Sequence, residues 1–416
     1  MSNTQEHRRG GLLLYDLLLH LLSPLLLLLT LIDAKRRGGG FAFIRERFGF
    51  FKRSSANTRL WFHAASIGEV QLALPLIAAF SSKGVLLTCN TPEAFRLAKK
   101  QLSTSVEVHF CPLDFSWAVN RLLSHYQPNA LFVIETELWP RLFAAAHRRK
   151  IGIYIINGRV GHNTAASPRL IKQLYRQALA QVTYVWTRET IDQQRFIALG
   201  CPKERVSTVG DIKLSRPANA GLPTSPLLSM PYSLAISTHH DEEQRIVRAW
   251  VAAGKPNLLV IIPRHPPRTA NIAKELAEKG LICHRRSESP TPPNPTDVYL
   301  VDTVGEVAAF CAHSEFVFVG GSLVPVGGHN VMEPAMLGKA VLTGPHTHTQ
   351  ETAIDYLSEN NAIAIATKED ELALLWQKLS TDNAWRHQLE ASAKRAVDKL
   401  PDRVQIYREH INRVID

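Results

Sequence analysis

The 416-residue sequence has few cysteines, and their placement excludes two kinds of stabilising site. The five are an odd number, lie far apart and form no CxxC pair. This pattern argues against a disulfide framework and against a structural zinc site, and it indicates a reducing compartment. The cysteines are Cys89, Cys111, Cys201, Cys283 and Cys311.

The common nucleotide-binding and metal-binding fingerprints are also missing. The sequence has no GxxxxGK[ST] segment and no GxGxxG after its first predicted strand, which disfavours a P-loop or a dinucleotide site. No DxD-like acidic pair stands out as a metal clamp, and the HxxxE spacings form no coherent ligand set. We therefore predict neither a metal site nor a bound cofactor.

Basic residues outnumber acidic ones, and this excess indicates the charge of the molecules that the protein binds. With 48 Lys and Arg against 37 Asp and Glu, the net charge is +11 and the sequence pI is about 9.5. This balance favours nucleic acid, lipid headgroups or a phosphorylated substrate. Because the basic residues are spread along the chain and no base-stacking module is visible, we do not expect a nucleic-acid partner.

The N-terminal region contains a leucine-rich run, Leu12–Ile32, that is long enough to cross a bilayer as a helix. Asp16, His20 and Pro24 interrupt the run, so a tilted or half-inserted anchor remains an alternative, as does a buried soluble helix. No small-residue cleavage site follows, which argues against a cleaved signal peptide. The denser basic flank lies after the run and predicts that the main body stays cytoplasmic.

From about residue 59 the sequence alternates short apolar runs with longer helical ones, which is typical of parallel sheets covered on both faces. A stretch rich in Pro, Gly and Ser interrupts the alternation once, after which it restarts. We therefore predict an α/β fold of two doubly wound, Rossmann-like domains facing a cleft, with ligands at the carboxyl ends of the strands. The predicted segments are the anchor and its basic flank (1–40), the first domain (41–215), the linker (216–231), the second domain (232–385) and a C-terminal helical segment (386–416).

In the first half, the segment WFHAASIGEVQLALPLI (61–77) ends a strand near Ala64 and begins a helix near Glu69. A carboxylate in the first turn of a helix is favoured by the macrodipole, which is a common structural role. The alternative is catalytic: Glu69 would remove a proton from an attacking hydroxyl, in a partly desolvated setting that raises its pKa. The residues alone leave both interpretations open.

Two further positions in the first half carry charges at strand ends. In LFVIETELWPRL (131–142), Glu135 and Glu137 follow an apolar strand and would share a face if the strand continued. A helix cap plus a solvated acid is an equal alternative. Lys213 lies just past another strand, before the linker, where it could point into the cleft or simply into solvent.

The second half has charged or glycine-rich segments after four predicted strands. ISTHHDEEQ (236–244) carries acids in a first helical turn, as capping predicts. IIPRHPPR (261–268) ends a strand with Arg264, which suits bidentate phosphate contact. DTVGE (302–306) is a similar strand end. VFVGGSLVPVGGHNVMEPAMLG (317–338) is either a tight strand-to-helix turn or a cradle for an anion.

Taken together, the motifs resemble one enzyme family. HAASIGE, ETELWP, NGR, VGDIK, STHHDEE, PRHP, DTVGE, VGGSLVPVGGHNVMEP and GPHTH occur in the order and spacing of the 3-deoxy-D-manno-octulosonic acid (Kdo) transferases. The resemblance extends from the N-terminal run to about residue 358. It implies the GT-B fold and transfer of Kdo from the donor CMP-Kdo to a lipid A precursor (lipid IVA), at the cytoplasmic face of the bacterial inner membrane.

The resemblance also implies roles for individual residues. Glu69 is the expected general base, and Glu135 and Lys213 are expected to stabilise the transition state. A helix N-terminus and Arg264 would neutralise the single phosphate without a metal, Glu333 would bind ribose hydroxyls, and attack from the opposite face would give inversion. The implied CMP contacts are Pro263, Arg264, Val304, Gly305, Glu306, Asn330, Val331, Met332 and Glu333.

The sequence departs from the family pattern at Val331, where the family usually has proline, and at NGRVGHNTAAS (157–167) and IKLS (212–215). The number of Kdo residues transferred is left open. Two alternatives remain: a GT-B enzyme that uses a UDP-sugar on a lipid acceptor, and a basic membrane-bound binding protein with an inactive scaffold. The acids at Glu69 and Glu135 disfavour the second alternative.

Overall fold

The computed structural model describes residues 14–52, 58–161, 164, 168–215 and 225–415, without the side chains of residues 169 and 170. The chain forms two compact units, Met1–Ser215 with Arg403–Asp416 and Arg216–Asp402. The start of the predicted anchor and most of the predicted linker, 216–224, lie outside the described residues. The predicted segment 386–416 is divided between the two units, and the predicted domain boundaries stay predictions.

The first unit is built on a seven-stranded sheet in which every neighbouring pair is parallel. Its order is β3-β2-β1-β4-β5-β6-β7, so the winding reverses between β1 and β4. Ligands of doubly wound sheets bind at this kind of reversal. The strands are β1 (Leu60–His63), β2 (Val85–Cys89), β3 (Glu107–Phe110), β4 (Ala130–Ile134), β5 (Gly152–Gly158), β6 (Tyr184–Thr187) and β7 (Val206–Thr208).

Apolar clusters cover both faces of this sheet, because the strands are apolar at successive positions. Trp61 and Phe62, adjacent in β1, belong to opposite clusters and are fully buried. The helices are α1 (Leu14–Leu21), α2 (Ser23–Arg36), α3 (Gly40–Arg47), α4 (Ile67–Phe80), α5 (Pro92–Gln101), α6 (Ser116–Tyr126), α7 (Pro140–Arg148), α8 (Arg169–Leu179) and α9 (Thr190–Ala198).

The second unit repeats this plan with a seven-stranded parallel sheet of order β10-β11-β9-β8-β12-β13-β14. The two predicted doubly wound halves are therefore confirmed. The strands are β8 (Tyr232–Thr238), β9 (Leu258–Pro263), β10 (Cys283–Arg285), β11 (Val298–Leu300), β12 (Val317–Val319), β13 (Val341–Thr343) and β14 (Ile363–Ile365). The helices are α10 (Glu242–Ala252), α11 (Thr269–Ala277), α12 (Val307–His313), α13 (Met332–Met336), α14 (Glu351–Glu359), α15 (Glu369–Thr381) and α16 (Asn383–Asp398).

The last helix, α17 (Arg403–Ile415), belongs to the first unit. Tyr407 and Ile411 of α17 are fully buried in the same apolar cluster as Val70 of α4. The Tyr407 hydroxyl also donates to the Gly210 carbonyl oxygen at 3.1 Å. Because Gly210 and Val70 lie far earlier in the chain, the sequence pattern of α17 does not predict these contacts.

The N-terminal helices combine polar contacts with an exposed apolar surface. The Tyr15 hydroxyl donates to Asp114 at 2.9 Å, and Arg141 pairs with Asp16. Many leucines remain exposed, among them Leu17 and Leu21 at 66% and 73%. Among the described residues no single helix meets the length and apolarity needed to cross a membrane, although α1 and α2, bent by 56°, do so as a pair.

Candidate active site

Glu69 lies in the first turn of α4, at the carboxyl end of β1. Ser66 caps the helix, because its hydroxyl oxygen accepts from the Glu69 backbone N–H at 3.3 Å. The Glu69 carboxylate in turn accepts from the Ala65 backbone N–H at 2.6 Å and from the Ser66 hydroxyl at 3.1 Å. This reciprocal arrangement resembles a capping box, with the carboxylate on the N–H of the residue before the cap, and it holds the carboxylate in one position.

The electrostatic setting of Glu69 suits a base that works near neutral pH. Burial raises the pKa of Glu69 to about 7, although the Ala65 N–H bond lowers it. The negative charges of Glu137 and Glu135 contribute to this rise of the pKa. A general base is most effective when its pKa lies near the working pH. The capping role and the proposed catalytic role are therefore compatible in this one side chain.

Glu135 and Glu137 follow β4, the sheet neighbour of β1, which brings them close enough to Glu69 to interact electrostatically. Glu135 adopts φ +60, an uncommon conformation for a non-glycine residue, and its N–H donates to the Ile156 carbonyl at 2.9 Å. Backbone strain of this kind concentrates at functional sites. Burial also raises the pKa of Glu137.

Lys213 lies in a short 3-10 turn after β7, and its side chain is exposed. The turn is held by Asp211, which accepts from the Lys213 backbone N–H at 3.0 Å. Asn157, at the end of β5, accepts from the Ile212 backbone N–H at 3.0 Å and donates to Asp211 at 3.2 Å. The backbone at Lys213 is thus fixed, while its ammonium group reaches solvent.

Arg47, at the end of α3, is a residue that the sequence analysis did not assign to the site. Its guanidinium donates to the Cys111 carbonyl oxygen at 2.7 Å and to the Asn90 amide oxygen at 3.2 Å, beyond the ends of β3 and β2. Burial lowers the pKa of Arg47, and the charge of Glu137 opposes this. Arg47 thus places a positive charge near Glu137. No local sequence pattern predicts this proximity.

In the second unit, Pro263 ends β9 and Arg264 follows it. The Arg264 backbone N–H donates to the Thr238 carbonyl at 3.0 Å, which ties this strand end to β8. The Arg264 side chain is exposed, and Pro263 is buried. The Arg264 side chain can therefore reach a ligand. The buried Pro263 can affect binding only by positioning Arg264.

The second predicted donor segment, 304–306, has its carboxylate already engaged. Arg286 donates to the two oxygens of Glu306 at 2.7 and 3.2 Å, and the Thr303 hydroxyl donates to one of them. These contacts lower the pKa of Glu306. Val304 is 81% exposed and Gly305 adopts φ +95. A ligand here would meet the backbone and Val304 more readily than the carboxylate.

The glycine-rich loop after β12 is organised by Glu242, which sequence analysis treated only as a capping acid. This fully buried carboxylate accepts from the backbone N–H groups of Gly321, Ser322 and Leu323 at 2.6 to 2.9 Å. It also accepts from the His239 backbone N–H at 2.8 Å. The backbone N–H groups at the start of the loop therefore already bind an anion, and that anion is a side chain of the protein itself.

The remaining predicted donor residues begin α13. Asn330 opens the turn, because its side-chain oxygen accepts from the Met332 backbone N–H at 3.1 Å. The Val331 and Met332 side chains are buried, so only their backbone could touch a ligand. Glu333 is partly buried, and burial raises its pKa. α13 spans only five residues, so few peptide dipoles add at its start.

Among the described residues, no group of three or more His, Cys, Asp or Glu side chains is arranged to hold a metal ion. The sites in both units consist instead of carboxylates, arginines, histidines and backbone N–H groups. Such groups can bind a nucleotide phosphate and move a proton.

Comparison with known proteins identifies relatives across most of the chain. Residues 43–216 match the family model described as 3-deoxy-D-manno-octulosonic-acid transferase (kdotransferase). A 3-deoxy-D-manno-octulosonic acid transferase of Haemophilus influenzae is 33% identical over 73% of this chain and 75% of its own. The Bordetella pertussis transferase of the same name is 29% identical over 92% of this chain and 94% of its own.

The solved structures include a neighbour that is similar in fold alone. The Anabaena protein Alr3699/HepE, solved in complex with UDP, has a TM-score of 0.55 and 11% identity. It covers 86% of this chain and 99% of its own. Together with the two seven-stranded parallel sheets, this likeness confirms the predicted GT-B class.

Proposed function

The chain belongs to the 3-deoxy-D-manno-octulosonic acid (Kdo) transferase family, and on this basis we propose that it transfers Kdo from CMP-Kdo to a lipid A precursor with inversion. The reaction would add Kdo to lipid IVA during lipopolysaccharide synthesis. The observation that carries the mechanism is the partly buried carboxylate of Glu69, whose pKa of about 7 suits proton abstraction.

The first unit would activate the acceptor. Glu69 removes the proton of an acceptor hydroxyl as that oxygen attacks the anomeric carbon of Kdo, and the bond to the CMP phosphate breaks. Ala65 and Ser66 hold the carboxylate through its two oxygens. Glu135 and Lys213 are proposed to stabilise the charge that develops on the sugar and on the leaving group in the transition state.

The second unit would bind the donor. Arg264 is exposed and provides a fixed positive charge for the single phosphate of the leaving group. The backbone at 304–305 and 330–332 offers further polar groups, and Glu333 accepts hydrogen bonds from ribose hydroxyls. Since Arg286 and Thr303 already bind the Glu306 carboxylate, Glu306 supports this turn from within. No metal or cofactor is part of the proposal.

The site of action is proposed to be the cytoplasmic face of the bacterial inner membrane. The exposed leucines of α1 and α2 provide an apolar surface for lipid, and the basic residues that end α2 suit anionic headgroups. This position would hold the enzyme next to a phosphorylated glycolipid acceptor.

The direct test is to incubate the purified protein with CMP-Kdo and lipid IVA and to analyse the lipid by mass spectrometry. The expected product carries added Kdo, and the number of mass increments gives the multiplicity. UDP-sugars serve as the control donors. Transfer from a UDP-sugar and not from CMP-Kdo would overturn the proposal, as would release of CMP without any lipid product.

A further inference from the structure

Three histidines from separate loops meet at one edge of the second sheet. His239 follows β8, His265 follows β9 and His329 lies in the glycine loop after β12. They come together because β8 pairs with both β9 and β12. The Nε2 atoms of His239 and His329 lie 2.8 Å apart, at hydrogen-bonding distance. The planes of the two rings are within 7° of parallel. His265 meets His239 edge-on, with 5.8 Å between ring centroids.

The fold holds this histidine pair, His239 and His329, from both sides. Glu242 accepts from the backbone N–H of His239 and from that of Gly321, so one buried carboxylate fixes both loops. Gly321 also gives the His329 ring its space, because a Cβ there would lie 2.8 Å from His329 Cδ2. The close approach of the two rings is therefore a consequence of how the loops are built.

Two imidazoles that share a hydrogen bond between their Nε2 atoms have two protonation states. The two states present different hydrogen-bonding groups to a ligand. In the neutral state one Nε2–H donates to the other Nε2, which leaves one Nδ1 protonated and the other bare. After gaining one proton, the pair has a proton on both Nδ1 atoms and carries a positive charge. The neutral pair suits a hydroxyl, which both donates and accepts, whereas the protonated pair suits an anion.

The surroundings keep the histidine pair neutral in the unliganded protein. Burial, together with the charges of His239, Arg264 and His265, lowers the pKa of His329 to about 4. Burial also lowers the pKa of His239.

The acidic groups next to the pair are committed elsewhere. Glu242 accepts four backbone N–H groups, and Glu243 binds Arg268 through two bonds of 3.0 and 3.1 Å and the Thr238 hydroxyl at 2.9 Å. His240 pairs with Asp241 in an exposed position. A ligand would therefore have to supply the negative charge that favours protonation. The charged or titratable groups on the surrounding elements are Arg264, His265 and Arg268 after β9, His240, Asp241, Glu242, Glu243 and Arg245 after β8, and Glu333, His346 and His348 beyond β12.

We propose that His239 and His329 bind the phosphate of the CMP leaving group as one unit and take up one proton from solvent when they do so. Arg264 precedes His265 and Asn330 follows His329, so the pair lies among the residues assigned to the donor. This inference rests on the proposed function, and it adds the charge of the histidine pair, with one Nδ1–H contact, to the groups that determine donor affinity.

The test is calorimetric titration of CMP into the full-length protein near pH 6, in two buffers with different ionisation enthalpies. The difference in apparent binding enthalpy gives the protons taken up. We expect the wild-type protein to take up a large fraction of one proton more per CMP than His329→Gln does, because a bound anion raises a pKa by roughly 1–3 units from the value of about 4. Cytidine, which lacks the phosphate, should give no uptake. His329→Gln should abolish the uptake and weaken CMP binding on the order of tenfold, the loss of one charge-assisted contact.

Two further variants separate a structural effect from the proposed one. His239→Gln changes the other loop and should give the same loss of uptake. His240→Gln is the matched control, because this neighbouring side chain is exposed and paired with Asp241, and it should keep both the uptake and the affinity. Thermal unfolding of each variant verifies that the second unit is folded.

The outcomes distinguish this inference from the proposed function. If the wild-type protein binds CMP without proton uptake, or if both histidine variants retain the uptake, the inference is overturned and the CMP donor stands. If UMP binds and CMP does not, the proposed donor is wrong, and the same two-buffer titration with UMP decides the role of the histidines. If neither nucleotide binds, both fail.

Discussion

At the scale of single residues, two opposing effects determine the pKa of the Glu69 carboxylate. Its hydrogen bonds from Ala65 and Ser66 favour the charged form, whereas burial and the nearby charges of Glu137 and Glu135 favour the neutral form. Burial dominates, because the pKa rises from its ordinary value of 4.5 to about 7. The side chain that caps α4 is thereby also able to exchange a proton near neutral pH.

The first prediction concerns Glu69→Gln. Because a base must be deprotonated, kcat/KM of the wild-type enzyme should rise with pH and level off above about 7. The variant should lose transfer activity by on the order of 10²–10⁴-fold and should lose this rise. The measurement is the pH profile of Kdo transfer from CMP-Kdo.

The same variant has an expected effect on stability, with the sign set by the raised pKa. The folded protein holds the Glu69 proton more tightly than the unfolded chain does, so ionisation destabilises the fold as pH rises through about 7. The neutral glutamine should therefore not lower the melting temperature at pH 8. Glu93→Gln, in the first turn of α5, is the matched control and should keep full activity. Near-normal turnover by Glu69→Gln would reject the assignment of the base.

At the scale of elements, the loop between β12 and α13 depends on glycine at defined positions. Gly321, Gly327 and Gly328 all adopt positive φ, between +69 and +107. Side chains are disfavoured there by the backbone conformation itself, and at Gly321 also by the His329 ring. The loop therefore needs glycine for two reasons: its backbone adopts positive φ at these positions, and at Gly321 there is no room for a side chain.

The second prediction compares Gly321→Ala with Gly338→Ala. The two glycines have nearly the same φ, +69 and +71, so the backbone conformation alone should cost each variant about 1–2 kcal/mol of unfolding free energy. A Cβ at 338 meets no atom within 4 Å, whereas one at 321 displaces His329. Only Gly321→Ala should therefore also weaken CMP binding, by roughly tenfold if one contact is lost.

Chemical denaturation and CMP titration of both variants check this comparison. Equal CMP affinity in the two variants would show that the position of the His329 ring does not affect binding of the donor nucleotide. The contrast is informative because the backbone strain is common to both positions, and the side-chain clash is not.

At the scale of the whole molecule, the net charge of +11 and the exposed leucines both suit the proposed partner, an anionic membrane surface. Apolar side chains gain by leaving water for lipid, and basic residues are attracted to anionic headgroups. Tyr15 and Asp16 contact Asp114 and Arg141, so the leucine surface is attached to the first unit by polar bonds. Asp16, one of the residues that interrupt the leucine run, thereby has a structural role.

The third prediction concerns this surface. Replacing Leu17, Leu21 and Leu25 together by serine should lower binding to vesicles that contain anionic lipid by more than about tenfold, since each buried leucine contributes roughly 1.5–3 kcal/mol. Raising the salt concentration should weaken the binding of the unmodified protein.

Vesicle sedimentation provides the measurement. Leu374→Ser, at a leucine of α15 that is 66% exposed, is the control and should leave the binding unchanged. Unchanged sedimentation of the triple variant would place the membrane contact elsewhere on the protein.

The sequence alone predicted the fold class and the segments that carry chemistry. Apolar strands alternating with helices require parallel sheets covered on both faces, and this pattern is local. Glycines, a proline-flanked arginine and acids at strand ends can likewise be read within a few residues. The motif order then predicted the family, which the relatives confirm.

The tertiary structure decided which of these groups are available and which meet. Glu306 is bound by Arg286, twenty positions away, and Glu242 fills the first glycine turn, about eighty positions away. His239 and His329 are in contact although ninety positions separate them. Such contacts depend on the order of the strands in the sheet, which places β8 between β9 and β12, and local sequence patterns carry no information about that order.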